Sequence, residues 1–133
     1  MSPEKLILYA QKAREMAYAP YSGFRVGAAL LTEQGNVYTG CNVENSSYGL
    51  TVCAERVAIF NAVCAGERQF KALAICAGIK SFCSPCGACR QVLLEFGRDT
   101  EVYMSNDKGE YKLMTAAELM PAAFELNIEK LSE

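Results

Sequence analysis

The chain of 133 residues contains no histidine. That removes histidine-containing zinc sets, Ser-His-Asp triads, Cys-His nucleophile pairs and H-E-x-x-H proteases, so a general base must come from Glu, Asp, Lys, Tyr or Cys. Long apolar runs are missing too, and no stretch approaches the roughly 20 residues of a membrane helix. The N-terminal Met1-Ser2-Pro3-Glu4-Lys5 leads into a mixed polar helix rather than a signal-peptide core, which predicts a soluble, cytoplasmic protein with no membrane partner. Clusters of basic charge are equally absent. With 13 Lys and Arg against 15 Asp and Glu, the net charge is -2, and no electrostatic footprint for a nucleic acid is present. A small or neutral ligand fits better. Internal repeats and low-complexity segments are also lacking.

What the chain does have is apolar material, 51% of its residues, enough for one core and a single domain spanning 1–133. It also has 7 cysteines. An odd number, a C-x-x-C spacing and no secretory signal point to metal binding in a reducing compartment rather than to disulfides.

Leu6, Leu8, Tyr9, Ala13, Met16 and Ala17 form a helical stripe over 4–18, with Pro20 preventing continuation. Two short β-compatible runs follow, 26–32 and 36–40, joined by Glu33-Gln34-Gly35 as an antiparallel hairpin. A polar, turn-rich stretch over 41–52 precedes a helix starting near Cys53, which offers Val57, Ile59, Phe60 and Val63 for burial before Gly66. The almost wholly apolar run 70–77 predicts a central strand buried on both faces. Ser84 then Pro85 resembles an N-cap and first position of the next helix, which carries Val92, Leu93, Leu94 and Phe96. Strands over 101–104 and 111–114 are joined too closely for a parallel crossover and are expected antiparallel. Thr115 with Glu118 predicts a capping box on a short helix ended by Pro121, with Phe124 and Leu126 left exposed or interfacial.

The chemistry concentrates in Cys53-Ala54-Glu55 and Pro85-Cys86-Gly87-Ala88-Cys89. A structural zinc site closes a four-ligand tetrahedron, whereas a catalytic one keeps three protein ligands and leaves a position open. Three cysteines beside a free carboxylate fit the second kind. Both groups fall at helix starts, where free N–H groups and the helix dipole favour thiolates. Soft thiolate ligands in a tetrahedral set select zinc, one per chain. Three thiolates leave such a centre negatively charged, which calls for a cation nearby. Arg56 and Arg90 each directly follow a ligand element, and Arg56 is assigned the task of hydrogen-bonding a ligand sulfur. The alternative is a closed four-cysteine site using Cys41 or Cys83. Otherwise Cys41, Cys64, Cys76 and Cys83 are expected to be small buried hydrophobes. Glu55 in isolation would be a solvated first-turn residue, but two positions from a ligand it becomes a candidate proton shuttle.

Together, C-A-E and P-C-G-A-C-R-Q resemble the zinc-dependent cytidine deaminases, in their small, homotetrameric, all-cysteine form. The likeness continues through Y-A-P-Y-S-G-F at 18–24, V-G-A-A-L at 26–30, G-C-N-V-E-N at 40–45 and L-M-P-A-A-F near the C-terminus, covering nearly the whole chain. Many relatives use H-x-E where this chain has Cys53-Ala54-Glu55, which places it with the tetrameric branch. The resemblance implies a three-layer α/β/α domain with a five-stranded mixed sheet, its last two strands antiparallel. It implies that Asn42 and Glu44 hold the ribose hydroxyls, that Phe24 walls the base, and that Glu55 and the Ala54 backbone meet the ring N3 and amino group. Tyr48 and Phe124 are the candidates for completing a neighbouring subunit's pocket.

The reaction implied is hydrolytic deamination of cytidine and 2′-deoxycytidine, as in pyrimidine salvage, with Glu55 serving in turn as base and acid. Three rivals stand beside it. A deaminase of a modified cytosine nucleoside such as blasticidin shares much of the motif set. An RNA- or DNA-editing deaminase sits poorly with the acidic balance and the short 105–110 connection, which leaves no room for a helix. A non-catalytic zinc-stabilised module would explain the cysteines but give Glu55, Asn42 and Glu44 no special task.

Overall fold

The computed structural model describes residues 1–126; the end of the expected 1–133 domain, residues 127–133, lies outside the described residues. Helix α1 (Pro3–Arg14) is followed by strands β1 (Gly27–Thr32) and β2 (Val37–Cys41), then α2 (Ala54–Cys64) and β3 (Phe70–Cys76). Next come α3 (Gly87–Phe96), β4 (Glu101–Ser105), β5 (Tyr111–Thr115) and the short α4 (Ala116–Leu119). A single turn of 3-10 helix, Tyr48–Leu50, interrupts the 42–53 connection.

The strands form one mixed sheet in the order β2-β1-β3-β4-β5. β3 and β4 run parallel, while the β1–β2, β1–β3 and β4–β5 pairs are antiparallel. Both hairpins expected from the sequence are therefore present. Because side chains alternate across a strand, the sheet feeds two separate cores. Ala28, Leu30, Leu73, Ile75, Val102 and Met104 face one layer with residues of α2, α3 and α4. Ala29, Leu31, Ala72, Ala74, Cys76 and Tyr103 face the other with Leu6, Ile7 and Ala10 of α1. The result is the three-layer α/β/α arrangement. Every residue of β1 is buried, as a strand covered on both faces requires.

Local chemistry explains the element ends, and in places moves them from their expected positions. Ser2 caps α1 through its side chain to the Lys5 N–H, with Pro3 at the first turn. The helix stops at Arg14 rather than near residue 18, because Tyr18 N–H bonds Asn42 O and Glu44 N–H bonds Tyr18 O, drawing that segment into an extended bridge. Its buried face is Leu6, Ile7 and Ala10, whereas Leu8, Tyr9 and Met16 of the expected stripe are exposed. On α2 the buried positions are Ala54, Glu55, Ala58, Ile59 and Ala62; Ile59 matches expectation, but Phe60 points to solvent. Small alanines dominate because the helix lies close on β2: a Cβ on Gly40 would sit 2.5 Å from both Ala54 O and Ala58 N. The start of α3 also differs, with Cys86, not Ser84, at the N-cap. Thr115 and Glu118 form the expected capping box on α4.

Candidate active site and metal centre

Cys53 is the N-cap of α2 and Cys86 the N-cap of α3, with Cys89 in the first turn of the latter. A cap residue ordinarily turns its side chain back onto the helix N–H groups, an interaction worth about 0.5–2 kcal/mol. Neither cysteine does so. The three sulfurs instead converge within 4.8 Å of one another, with Cys53 Sγ 3.8 Å from Cys86 Sγ and Cys86 Sγ 3.4 Å from Cys89 Sγ. Zn–S bonds of about 2.3 Å in a tetrahedron put sulfurs roughly 3.8 Å apart, so this soft donor set fits zinc with a position left over. Cys41 and Cys83 stand outside the cluster, and no other such group of potential ligands occurs among the described residues. Of the remaining cysteines Cys76 is buried as expected. Cys41 and Cys83 are half-buried, and Cys64 is exposed, because it lies on the solvent side of the last turn of α2.

The Arg56 guanidinium, one helical turn beyond Cys53, donates through Nη2 to the Cys53 sulfur at 3.4 Å. Arg90 does not reach a sulfur: its guanidinium binds Pro85 O at 2.8 Å and Leu119 O at 3.0 Å, fastening α3 to α4. Hydrogen bonding from the Cys89 thiol, then from Arg56 and Cys86, brings the Cys53 thiol down to about 5 against the resistance of burial. The bond to Cys53 and burial push Cys89 far up. Arg56 is held more firmly protonated by its bond to the Cys53 sulfur.

Glu55 follows in the first turn of α2 and is 5% exposed. Burial, reinforced by the neighbouring Cys53 charge, raises its carboxyl to about 7, the range in which a group can both take and return a proton. Cys83, near it, is pushed up to about 12, chiefly by burial.

Phe24, Val26, Asn42, Thr51, Cys53, Ala54, Glu55, Cys83, Ser84 and Cys86 enclose a cavity of about 200 Å³. Six of the sequence candidates meet there: the two N-cap cysteines, Glu55, Ala54, Asn42 and Phe24. Asn42 is nearly buried and braces the opposite wall, accepting from Val26 N–H at 2.8 Å and donating to Phe24 O at 2.7 Å. Glu44 lies in an adjoining hollow of about 390 Å³ with Tyr21, Ser22, Asn45, Tyr48 and Thr51. Thr51 lines both spaces. The Glu44 carboxylate accepts from the backbone of Tyr21 and Ser22 and from the Ser22 hydroxyl, which together hold it below the usual carboxylate range, the hydroxyl contributing most. Tyr48 is exposed and meets Tyr21 edge-to-face at 6.2 Å. Phe124 is 73% exposed and lies over α3, where Gln91 Nε2 donates to its carbonyl at 2.9 Å; it does not line the cavity of its own chain.

Sequence reasoning misses Ser22 and Thr51 as site residues, and it reads Ser84 only as a helix cap. Ser22 lies inside the 18–24 motif, which was a usable signal, whereas Thr51 and Ser84 reach the cavity only through tertiary packing.

Two helix starts pooling their thiols beside a buried carboxylate, at one end of a mixed sheet, define a hydrolytic metal centre with an open coordination position. Residues 1–105 match the family model of the cytidine and deoxycytidylate deaminase zinc-binding region. A cytidine deaminase of Sporosarcina psychrophila is 56% identical over 125 residues, covering 93% of this chain and 92% of the relative. The crystal structure of a Burkholderia pseudomallei cytidine deaminase superposes with a TM-score of 0.91 at 50% identity, covering 93% of this chain and all of that one. A Mycobacterium tuberculosis cytidine deaminase structure gives 0.83 at 42% identity over 95% of this chain and 99% of its own. The chain belongs to the cytidine and deoxycytidylate deaminase family, a zinc-binding family of hydrolytic enzymes.

Proposed function

We propose that this protein hydrolyses cytidine and 2′-deoxycytidine to uridine and 2′-deoxyuridine with release of ammonia, as one deaminase domain over 1–133. The observation that carries the reading is the position of Glu55, buried in the cavity next to three converged sulfurs and poised near pH 7. Cys53, Cys86 and Cys89 would hold the zinc, which when bound supplies Lewis acidity that can bring the pKa of water from 15.7 down to about 7. Glu55 takes a proton from the attacking water as its oxygen bonds to C4 of the base, and passes that proton to N3. Glu55 then takes the proton of the new C4 hydroxyl and delivers it to the amino group, the C4–N bond breaks, and ammonia leaves behind a carbonyl at C4. A carboxyl group midway in its titration at neutral pH suits both halves of this relay.

Phe24 packs against the base, the Ala54 backbone meets its polar edge, and Asn42 and Glu44 take the sugar hydroxyls. Asn42 shares the cavity of Glu55, Cys53 and Cys86, and Glu44 lies in the adjoining hollow, so the sugar would reach from one space toward the other. Arg56 draws charge from Cys53 and so offsets the excess negative charge of three thiolates. Tyr48 and Phe124 complete the pocket of a neighbouring subunit in a homotetramer, a role supported by their exposure. All seven cysteines are unpaired, and free thiols of this kind favour a reducing compartment such as the cytoplasm. Among the described residues no helix is long and apolar enough to cross a membrane. The tight turn between β4 and β5, closed by Asn106, favours a free nucleoside over a nucleic acid.

The test is the ultraviolet absorbance change on adding zinc-quantified protein to cytidine, with Glu55→Gln as control. A change proportional to enzyme and reduced by about 10²–10⁴-fold in the control is expected for loss of one proton-transfer group. No turnover of cytidine by fully zinc-loaded protein would overturn the reading, and turnover of blasticidin alone would move it to a modified nucleoside.

A further inference from the structure

The antiparallel ladder between β1 and β3 ends at Gly27 and Cys76, and beyond it the two chains part around the cavity. The segment entering β1 carries Phe24 and Val26 into one wall, while the segment leaving β3 continues toward Cys83, Ser84 and Cys86 in another. Across the parting lies Arg14, the last residue of α1. Its Nε–H is shared between Arg25 O and Ala77 O, each at 3.0 Å, and so links the two segments where no strand pairing does. The next residue, Gly78, has φ +67, and a Cβ there would lie 2.7 Å from Arg14 Cζ. The guanidinium thus occupies space that any larger residue at 78 would claim. From the cavity side, Asn42 grips the same wall through Val26 N–H and Phe24 O.

We propose that Arg14 is a positioning residue for the nucleoside pocket: it sets the spacing between the Phe24–Val26 wall and the segment that follows Ala77, and with it the fit of the pyrimidine ring. The proposal rests on the deaminase reading above. Arg14 does not line the cavity and acts through its neighbours. Helix α1 is held to the sheet by Leu6, Ile7 and Ala10, which do not depend on this guanidinium. The thiol cluster and Glu55 belong to the starts of α2 and α3, and neither Arg25 nor Ala77, whose carbonyls Arg14 joins, lies in those helices. Loosening the clamp therefore acts on ring binding before it acts on chemistry.

The experiment uses full-length, zinc-quantified protein carrying Arg14→Ala. The cytidine KM is expected to rise about five- to tenfold with kcat little changed, in keeping with the loss of one or two hydrogen bonds. The calorimetric affinity for uridine should weaken by the same factor, and added methylguanidine should bring KM back toward that of the parent. Lys12→Ala, which removes the same charge from an exposed position of α1, should leave KM as it was. A fall in melting temperature with unchanged KM and uridine affinity would show a purely structural role and overturn the proposal, as would a loss of zinc with kcat. Should Arg14→Ala fail to fold, Arg14→Met keeps most of the volume without the donor, and a parental KM in that variant would equally overturn it. If the parent itself does not deaminate cytidine, the deaminase reading fails. An active parent with an indifferent Arg14→Ala variant defeats this proposal alone.

Discussion

Arg56 and Cys53, one turn apart on the same helix start, are joined by an Nη2-to-sulfur hydrogen bond of 3.4 Å, while Arg56 Nε is buried with no hydrogen-bond partner. Arg90, which follows the Cys86 and Cys89 pair, gives its donors to backbone carbonyls. The two arginines are alike in sequence position and unlike in task.

Arg56→Ala should therefore keep the fold while lowering zinc affinity or activity by about 10–100-fold, the usual effect of removing a group that orients and tunes a ligand. Zinc content after dialysis against a graded chelator, measured beside kcat/KM, checks this. Unchanged values for both would remove Arg56 from the centre.

Cys86→Ala takes away a sulfur 3.8 Å from that of Cys53 and 3.4 Å from that of Cys89. The variant should bind substoichiometric zinc, lose deamination and melt at a lower temperature, because metal binding and folding share the same free energy. Metal analysis and a thermal melt decide it, and stoichiometric zinc in this variant would mean that the ligand set is wrong.

Glu67 is a buried carboxylate that accepts from Tyr38 Oη–H and Asn36 Nδ2–H, and the Thr32 hydroxyl, Tyr38 and Asn36 hold it below the ordinary value of 4.5. A depressed folded-state value contributes stability that is fully present above 4.5 and disappears as pH falls through the folded value. Urea melts from neutral pH into acid should show the difference between the parent and Glu67→Gln shrinking below that point. A difference independent of pH would mean that the charge of Glu67 contributes nothing.

Gly40→Ala should be destabilising by about 1–3 kcal/mol, the cost of overpacking, because the new Cβ would meet the backbone of Ala54 and Ala58 at 2.5 Å. Since those residues lie beside Cys53 and Glu55, zinc retention should fall along with the urea midpoint. A midpoint equal to the parent's would show that α2 can back away from β2 freely.

The sheet was legible in the sequence because its strands are short apolar runs with turn residues between them, and the separation of β4 from β5 is too small for anything but a hairpin. The metal cluster was legible from spacing alone, since Cys53, Cys86 and Cys89 needed only two helix starts brought together. Less legible was where helices end. Tyr18 is helical by local pattern, but its backbone pairs with Asn42 and Glu44, and Ser84 has the chemistry of a cap yet lines the cavity while Cys86 caps α3. Both outcomes are set by partners remote in the chain. Ile7 is buried and Leu8 exposed because α1 meets the sheet along a narrow seam, which hydrophobicity by itself does not reveal. Arg14, whose partners Arg25 and Ala77 are both backbone carbonyls, left no trace in side-chain chemistry at all.

The closeness of Cys86 to its two sulfur neighbours bears on how the protein must be handled. Thiols 3.4 and 3.8 Å apart, one of them solvent-exposed and another held largely as thiolate, are near partners for disulfide formation once nothing is coordinated between them. Zinc held between these sulfurs would shield them from oxygen. Chelation in air would leave an oxidised protein that added zinc does not revive, so reversible metal removal has to be carried out under reductant.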